Sequence, residues 1–237
     1  MKRKACDVIT DVIRAKIESG EWPAGMRLPA EPELASQLEV GRSTLREAVQ
    51  NLVYGGYLNR VHGVGTFVCE KTIAYGMNDL VSISWLLEEN GYAAGIQNVK
   101  LDIAAPSQKA AELLSISKLD PVYKVQRVFT ADGKPVVLEF ASYPCRLLND
   151  VKAEDFQESS FHMLDSRGIE MKYSNGWVKP VAADERIAEL LNIDPNSPLL
   201  LMESVVCDQN GGAITYVKDY FTEWFNFPIH RVRSSRN

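Results

Sequence analysis

The sequence predicts an α+β protein in two parts: a small helical unit that ends in a β-hairpin, and a larger unit of antiparallel strands with attached helices. Three observations carry this prediction. Short segments of helical pattern, separated by turn residues, fill the chain up to residue 54. The dipeptides Asp132-Gly133 and Asn210-Gly211 are strong β-hairpin signals. The chain after residue 78 also repeats itself at an offset of 77 residues.

The first unit is predicted to contain three helices and a hairpin. Apolar residues recur at helical spacing over residues 8–17, and Gly20 ends that helix. A short helix over about 31–38 follows Pro29, and a third spans roughly 43–54. Its apolar positions form one buried face: Leu45, Ala48, Val49, Leu52 and Val53. Two short strands flank the glycine-rich turn 62–65 and complete the pattern of a winged helix-turn-helix.

The larger unit is predicted to be an internal duplication. Ala111-Glu112-Leu113-Leu114 matches residues 188–191, and Tyr143 matches Tyr220, without a gap. Each half is expected to run helix, strand, helix, strand, turn, strand, so two copies give one antiparallel sheet with pseudo-twofold symmetry. We therefore divide the chain into a first domain over residues 1–70, a linker over 71–78 and a second domain over 79–237.

Composition excludes several classes of protein. The chain is 46% hydrophobic and 24% charged, which is typical of globular domains. It has no secretory signal and no apolar run near the roughly 18 residues of a membrane helix, so we expect a cytoplasmic protein with no membrane partner. The four cysteines and three histidines lack metal-ligand spacing, and no nucleophile–base pair is visible. We therefore expect no metal, no cofactor and no catalytic residue.

The net charge of −5 opposes nucleic-acid binding when it is taken alone, because phosphates are bound by lysine and arginine. The charge is unevenly distributed, however. Residues 1–71 carry 10 Lys and Arg against 9 Asp and Glu, whereas the acidity lies in the remainder. The balance predicts modest non-specific affinity for DNA.

The third helix begins with side chains suited to DNA. In helix-turn-helix proteins the N-terminal residues of the second helix of the motif meet base edges in the major groove. Arg42 and Arg46 suit bidentate contact with guanine. Ser43 and Thr44 suit phosphate contacts or helix capping, and Gly63 allows close backbone approach at the hairpin. Considered by itself, this helix start is also compatible with solvated arginines and a simple cap.

Three segments decide between these readings: residues 28–35 (LPAEPELA), 40–48 (VGRSTLREA) and 63–68 (GVGTFV). Together they closely resemble the GntR family of bacterial transcription regulators, over about residues 5–69. The resemblance implies DNA contacts from Arg42, Thr44 and Arg46 in the recognition helix, and from His62 and Gly63 at the wing tip. Pro32 departs from the family, because many members have an arginine there.

The second unit resembles the UTRA effector-binding domain of the HutC-type GntR subfamily. The resemblance rests on residues 121–127, 132–136, Glu139 and 143–144, and on residues 198–220 of the second copy. It implies a fold like that of chorismate lyase, an antiparallel α+β sheet enclosing a ligand cleft. The all-helical effector domain of other GntR proteins does not fit this strand-rich pattern.

Candidate effector-binding residues follow from the strand pattern and the resemblance together. Arg127 shares a strand face with Val125 and Phe129, as a rim residue or a ligand anchor. Ser159 and Ser160 precede a helix, where they cap it or bind an anion. The full candidate set is Arg127, Glu139, Ser159, Ser160, Tyr216, Lys218, Tyr220 and Ser82, the repeat equivalent of Ser159.

Two departures bear on the ligand. Phosphosugar-sensing members often carry a second arginine where this chain has Phe129, and often an arginine–aspartate pair where this chain has the more aromatic, less cationic region 221–225. Both an uncharged sugar and a sugar phosphate therefore remain open as the effector.

The expected function is transcription regulation, with repression as the expected sign. A homodimer would bind an inverted-repeat operator in double-stranded DNA, and a small effector would shift it between two states of different operator affinity. The alternatives are a ligand-independent architectural or partition protein that binds DNA, and an enzyme acting on its ligand.

Overall fold

A computed structural model describes residues 5–61, 63–69 and 72–228, and these form two compact units. The first contains the chain up to Gly76 together with the segment that begins at Trp224, and the second is Met77–Glu223. Within the described ranges, no helix combines the length and apolar character needed to cross a bilayer.

The first unit is a three-helix core with a β-hairpin, as the hydrophobic pattern predicts. Its elements are α1 (Ala5–Glu18), α2 (Glu31–Gln37), α3 (Arg42–Tyr54), β1 (Leu58–Val61) and β2 (Gly65–Val68). The apolar face of α3 packs against Ile13 and Ile17 of α1. The backbone amide of Leu28 donates to Thr66 O at 2.8 Å, which ties the segment before α2 to the hairpin.

A short parallel strand pair adds the C-terminal segment to this unit. β3 (Ile73–Ala74) pairs with β10 (Phe225–Asn226). The Asn226 side-chain amide also donates to the Thr72 hydroxyl at 2.7 Å. The sequence pattern assigns residues from 224 onward to the second domain, because two residues are too few to show periodicity. Strand pairing groups them with the first unit.

The second unit is a six-stranded antiparallel sheet with strand order β4-β5-β6-β9-β8-β7. Its strands are β4 (Ala94–Ala104), β5 (Val122–Ala131), β6 (Lys134–Pro144), β7 (Tyr173–Ala182), β8 (Pro198–Cys207) and β9 (Ala213–Phe221). Its helices are α4 (Ile83–Glu89), α5 (Gln108–Leu114), α6 (Ser160–Asp165) and α7 (Glu185–Leu191), with short 3-10 turns at 145–147 and 153–156.

Strand register reproduces the duplication. In the first half Gln126 of β5 lies between Lys100 and Phe140. In the second half Glu203 of β8 lies between Trp177 and Lys218. Gln126 and Glu203 are 77 residues apart, as are Lys100 and Trp177, so the repeat seen in the sequence is also a repeat in strand pairing.

The two faces of the sheet carry different elements. We call the face against α5 and α7 the helical face. It includes Gln126, Leu138 and Glu203, with Leu191 and Leu114 from the helices. The opposite face, against α4 and α6, is called the cavity face, and its core is formed by residues such as Tyr143, Phe156, Leu164 and Val206.

Candidate functional site

The first turns of α3 present a polar surface. Arg42, Ser43 and Arg46 are exposed and Thr44 is half-buried, while Leu45 behind them is fully buried. The N-cap residue is Gly41, which has no side chain for capping. The hydroxyls of Ser43 and Thr44 therefore do not cap the helix.

Glu31, which the sequence analysis did not single out, organises two of the neighbouring arginines. One carboxylate oxygen accepts hydrogen bonds from Arg46 Nε at 3.2 Å and Nη2 at 3.0 Å. The other accepts from Arg60 Nη2 of β1 at 2.8 Å. Because one carboxylate holds two guanidinium groups, the helix start and the hairpin are fixed side by side with positive charge in excess.

Arg27, from the segment before α2, lies against the hairpin and adds a fourth arginine. Gly65 has φ +152°, and a Cβ atom there would lie 2.8 Å from Arg27 Nε, so glycine is needed for the guanidinium to pack against the backbone. Gly63, with φ +74°, has open space where a side chain would be. A groove of about 560 Å³ runs between the segment 27–31 and the hairpin. The sequence-predicted wing residue His62 lies outside the described residues.

On the cavity face of the second unit, α4 and α6 border an open cavity of about 640 Å³. Ser82 and Ser159, the two repeat-related serines, both line it. The Ser82 hydroxyl accepts from Trp85 N at 3.1 Å and so caps α4. Ser159 stands at the N-cap of α6 without a side-chain capping bond. Ser160 is buried behind it and does not line the cavity.

Arg127 and Glu139 form a buried ion pair next to this cavity. Arg127 is 3% exposed, and its Nε and Nη2 donate to Glu139 Oε1 at 2.8 and 2.7 Å. Its Nη1 donates to the backbone oxygens of Phe156 at 3.4 Å and Glu158 at 3.0 Å. The guanidinium carbon also lies 4.9 Å from the Phe129 ring centroid. The side chain that was expected to anchor a ligand is therefore already engaged by the protein.

Asp219 is a second carboxylate at this pair, and the sequence analysis missed it. It is the strand partner of Glu139, and its Oδ1 finds no hydrogen-bond partner among the described residues. Burial and the negative charge of Glu139 raise the pKa of Asp219 well above its ordinary value, although Arg127 opposes the shift. Burial likewise raises the pKa of Tyr143 to about 12. The group therefore holds two carboxylates for one arginine.

The structure does not bring Tyr216, Lys218 and Tyr220 to this site. Alternation along β9 places them on the helical face, opposite Arg127, since neighbouring strand residues point to opposite sides. The Tyr216 hydroxyl donates to Glu203 Oε1 at 2.7 Å. The Tyr220 ring packs edge-on against the Phe140 ring, with 6.0 Å between the ring centroids. The β9 residue that faces Arg127 is Asp219, and strand parity relative to Glu139 was the signal that could have found it.

Fold and sites together define a two-domain protein whose first unit is a winged helix-turn-helix, a class of fold used to bind DNA. The family model for bacterial regulatory proteins of the gntR family matches residues 6–68, and the model for the UTRA domain matches residues 89–223. The chain therefore belongs to the GntR family, in its UTRA-containing branch, and both the α+β fold class and the family resemblance are confirmed.

Individual relatives that match most of the chain are transcription regulators. The chain is 28% identical to the HTH-type transcriptional repressor NagR of Bacillus subtilis, over 90% of this chain and 88% of that protein. It is 30% identical to the repressor PhnF of Mycolicibacterium smegmatis, over 86% of this chain and 84% of that protein. The crystal structure of PhnF from Mycobacterium smegmatis superposes with a TM-score of 0.74 at 26% identity, covering 93% of this chain and 98% of that one.

Proposed function

We propose that this protein is a transcriptional repressor that binds an inverted-repeat operator as a homodimer and is released from it by a small-molecule effector. The observation that carries the DNA-binding half is the arginine surface of the first unit. Arg42 and Arg46 lie at the start of α3, and Glu31 fixes Arg46 beside Arg60 of the hairpin. Such a fixed array suits phosphates on one side of a groove and base edges within it.

The proposed effector site is the cavity between α4 and α6. Carboxylates dominate its ionisable lining, with Glu88, Glu158 and Asp165 present beside His162, and no lysine or arginine is among the described residues that line it. The guanidinium N–H groups of Arg127 already donate to Glu139 and to backbone oxygens. A negatively lined cavity of this size disfavours a phosphate, so of the two open ligand classes we favour an uncharged, hydroxyl-rich effector over a sugar phosphate.

Names of relatives are compatible with control of small-metabolite use. A relative of 27% identity is the mannosyl-D-glycerate transport/metabolism system repressor MngR of Escherichia coli, and another of 26% is the histidine utilization repressor of Pseudomonas putida. The metabolites in these names are those of the named repressors and are not assigned to this chain. For this chain they support the class of function, a repressor that responds to the compound whose use it controls.

The DNA-binding proposal is tested by Arg42→Ala in a mobility-shift assay at fixed salt, with DNA from upstream of the protein's own gene. Loss of a base contact should weaken specific binding by on the order of 1–3 kcal/mol. Arg146→Ala, which removes one exposed arginine from the second unit, is the matched control and should leave affinity unchanged. Equal affinity for Arg42→Ala and the wild type would remove Arg42 from the interface.

The effector proposal is tested by a thermal-shift screen that compares each neutral sugar with its phosphate. A ligand at 100 times its Kd should stabilise the fold by about 2.7 kcal/mol, and the same compound should release the operator. A phosphate that binds more tightly than its parent sugar would contradict the favoured ligand class. If no compound affected either stability or operator release, a ligand-independent DNA-binding protein would be the better description.

A further inference from the structure

On the helical face of the sheet, three lysines converge on one buried carboxylate. Glu203 is 2% exposed, yet three side-chain nitrogens lie 2.8, 3.0 and 3.6 Å from its oxygens. They come from three separate elements, α5, β7 and β9. We call this group the lysine cluster: Lys109, Lys179 and Lys218 around Glu203.

Positive charge is in surplus at the lysine cluster. Among the described residues, Glu203 is the sole carboxylate within 4.0 Å of the three ammonium groups. Its oxygens also accept from Trp177 Nε1 at 2.9 Å and from the Tyr216 hydroxyl at 2.7 Å, so their acceptor capacity is saturated. The three lysine side chains are 43, 47 and 36% exposed, and each ammonium has N–H groups left over for a further acceptor.

The first half of the duplicated sheet shows that the fold does not require a charged cluster at this position. The equivalent of Glu203 is the neutral Gln126, whose side-chain oxygen accepts one hydrogen bond from Arg186 of α7 at 2.8 Å. That single contact pins a helix to the sheet, as Lys109 does in the other half. The positions matching Lys179 and Lys218 hold Asp102 and Phe140, so the additional cations belong to the second half alone.

An aromatic surface borders the surplus charge. The Trp177 side chain is 43% exposed, and its indole N–H is held by Glu203. Lys109 Nζ lies 4.5 Å from the ring centroid. The ring is thus fixed in orientation next to an ammonium group, an arrangement that suits a flat ligand with a negative end.

We propose that the lysine cluster is a second ligand site, on the sheet face opposite the candidate effector cavity, and that it binds a small molecule through a phosphate or carboxylate group lying beside Trp177. The anionic group could come from a free metabolite or from an acidic side chain of a second copy of this chain. The Trp177 ring, held by Glu203 beside Lys109, favours a flat free metabolite.

The test is calorimetric titration of the full chain with inorganic phosphate, pyrophosphate and citrate at constant ionic strength. The variant Lys179→Ala/Lys218→Ala removes two half-exposed cations and leaves Lys109 to pin α5. Its affinity for the tightest anion should fall about tenfold or more, because charge-assisted hydrogen bonds are lost. The matched control Lys118→Ala/Lys124→Ala removes two exposed lysines outside the cluster and should bind like the wild type. No binding by the wild type, or equal loss in both variants, would overturn the proposal.

Two further readouts separate the site from a structural cluster and from an interface. Glu203→Gln, which copies the neutral Gln126, should bind the anion more tightly because the competing carboxylate charge is gone. Unchanged affinity in the folded variant would count against the site. Sedimentation of Lys179→Ala/Lys218→Ala should show the oligomeric state of the wild type. A shift to monomers would assign the cluster to an acidic partner surface and overturn the free-ligand proposal.

Discussion

The two faces of the six-stranded sheet bury charge in opposite proportions. On the cavity face two carboxylates, Glu139 and Asp219, share one arginine, Arg127. On the helical face one carboxylate, Glu203, faces three lysines. The first group is short of positive charge, and its Arg127 and Glu139 are buried, whereas the second has an excess of positive charge and partly exposed lysines.

The difference shows that the balance of positive and negative charge in a buried group determines how the group behaves. A deficit of cations favours protonation of one carboxylate. A surplus of cations keeps the carboxylate ionised and attracts anions. The two groups should therefore respond to charge removal and to pH in opposite ways.

Loss of Arg127 should have the largest effect. In Arg127→Met the buried Glu139 and the half-buried Asp219 lose their counter-charge, which should lower the free energy of unfolding by about 3–5 kcal/mol in urea titrations at pH 7.5. Arg186→Met is the matched control, since its exposed guanidinium donates to the neutral Gln126 and lies over the Phe140 ring on the helical face, and it should cost about 1 kcal/mol or less. Equal losses in the two variants would show that Arg127 is not compensating buried charge.

The first unit was predicted closely from the sequence because its signals are local. The apolar face of α3 and the glycines of the hairpin each act within a few residues, and the helices and strands formed where the pattern placed them. The role of Glu31 was not predictable, since it depends on Arg46 and Arg60, which are distant in sequence.

In the second unit the sequence pattern predicts the topology but not the sheet face of each side chain. The repeat offset gave the topology, because Asp132-Gly133 and Asn210-Gly211 fix each hairpin. Assigning side chains to a face is harder, since an error of one residue reverses the face. Lys218 and Tyr220, which the family resemblance groups with Arg127, lie on the opposite face, and Asp219 between them is the residue on the Arg127 face.

Neutralising the carboxylate of the helical face should have the second-largest effect. Hydrogen bonds from Lys109, Tyr216, Lys179 and Trp177 outweigh burial and hold the pKa of Glu203 far below its ordinary value. Glu203→Gln should therefore lose about 1–3 kcal/mol of unfolding free energy at pH 7.5. A folded-state pKa that is lowered gives stability that is present above the unfolded value, about 4.3, and is lost as pH falls through the folded one.

Acid titration of stability checks this sign. The difference between the wild type and Glu203→Gln should shrink as pH falls below about 4. Glu189→Gln, at an exposed position of α7, is the control and should match the wild type throughout. A difference that grows in acid would mean that the carboxylate is not held ionised by the lysines.

The smallest effect, and the opposite sign, is expected for Asp219→Asn. The raised pKa of Asp219 means that folding favours its protonated form. The contribution of this group is therefore fully present below the unfolded value of about 3.9 and is lost as pH rises through the folded one. The amide cannot ionise, so Asp219→Asn should gain on the order of 1 kcal/mol at pH 7.5, and the gain should vanish in acid. Urea titrations at pH 3.5 and 7.5 measure both. If Asp219→Asn were less stable at pH 7.5, the ionised carboxylate would be balanced by Arg127 after all, and the cavity face would no longer be the one that lacks positive charge.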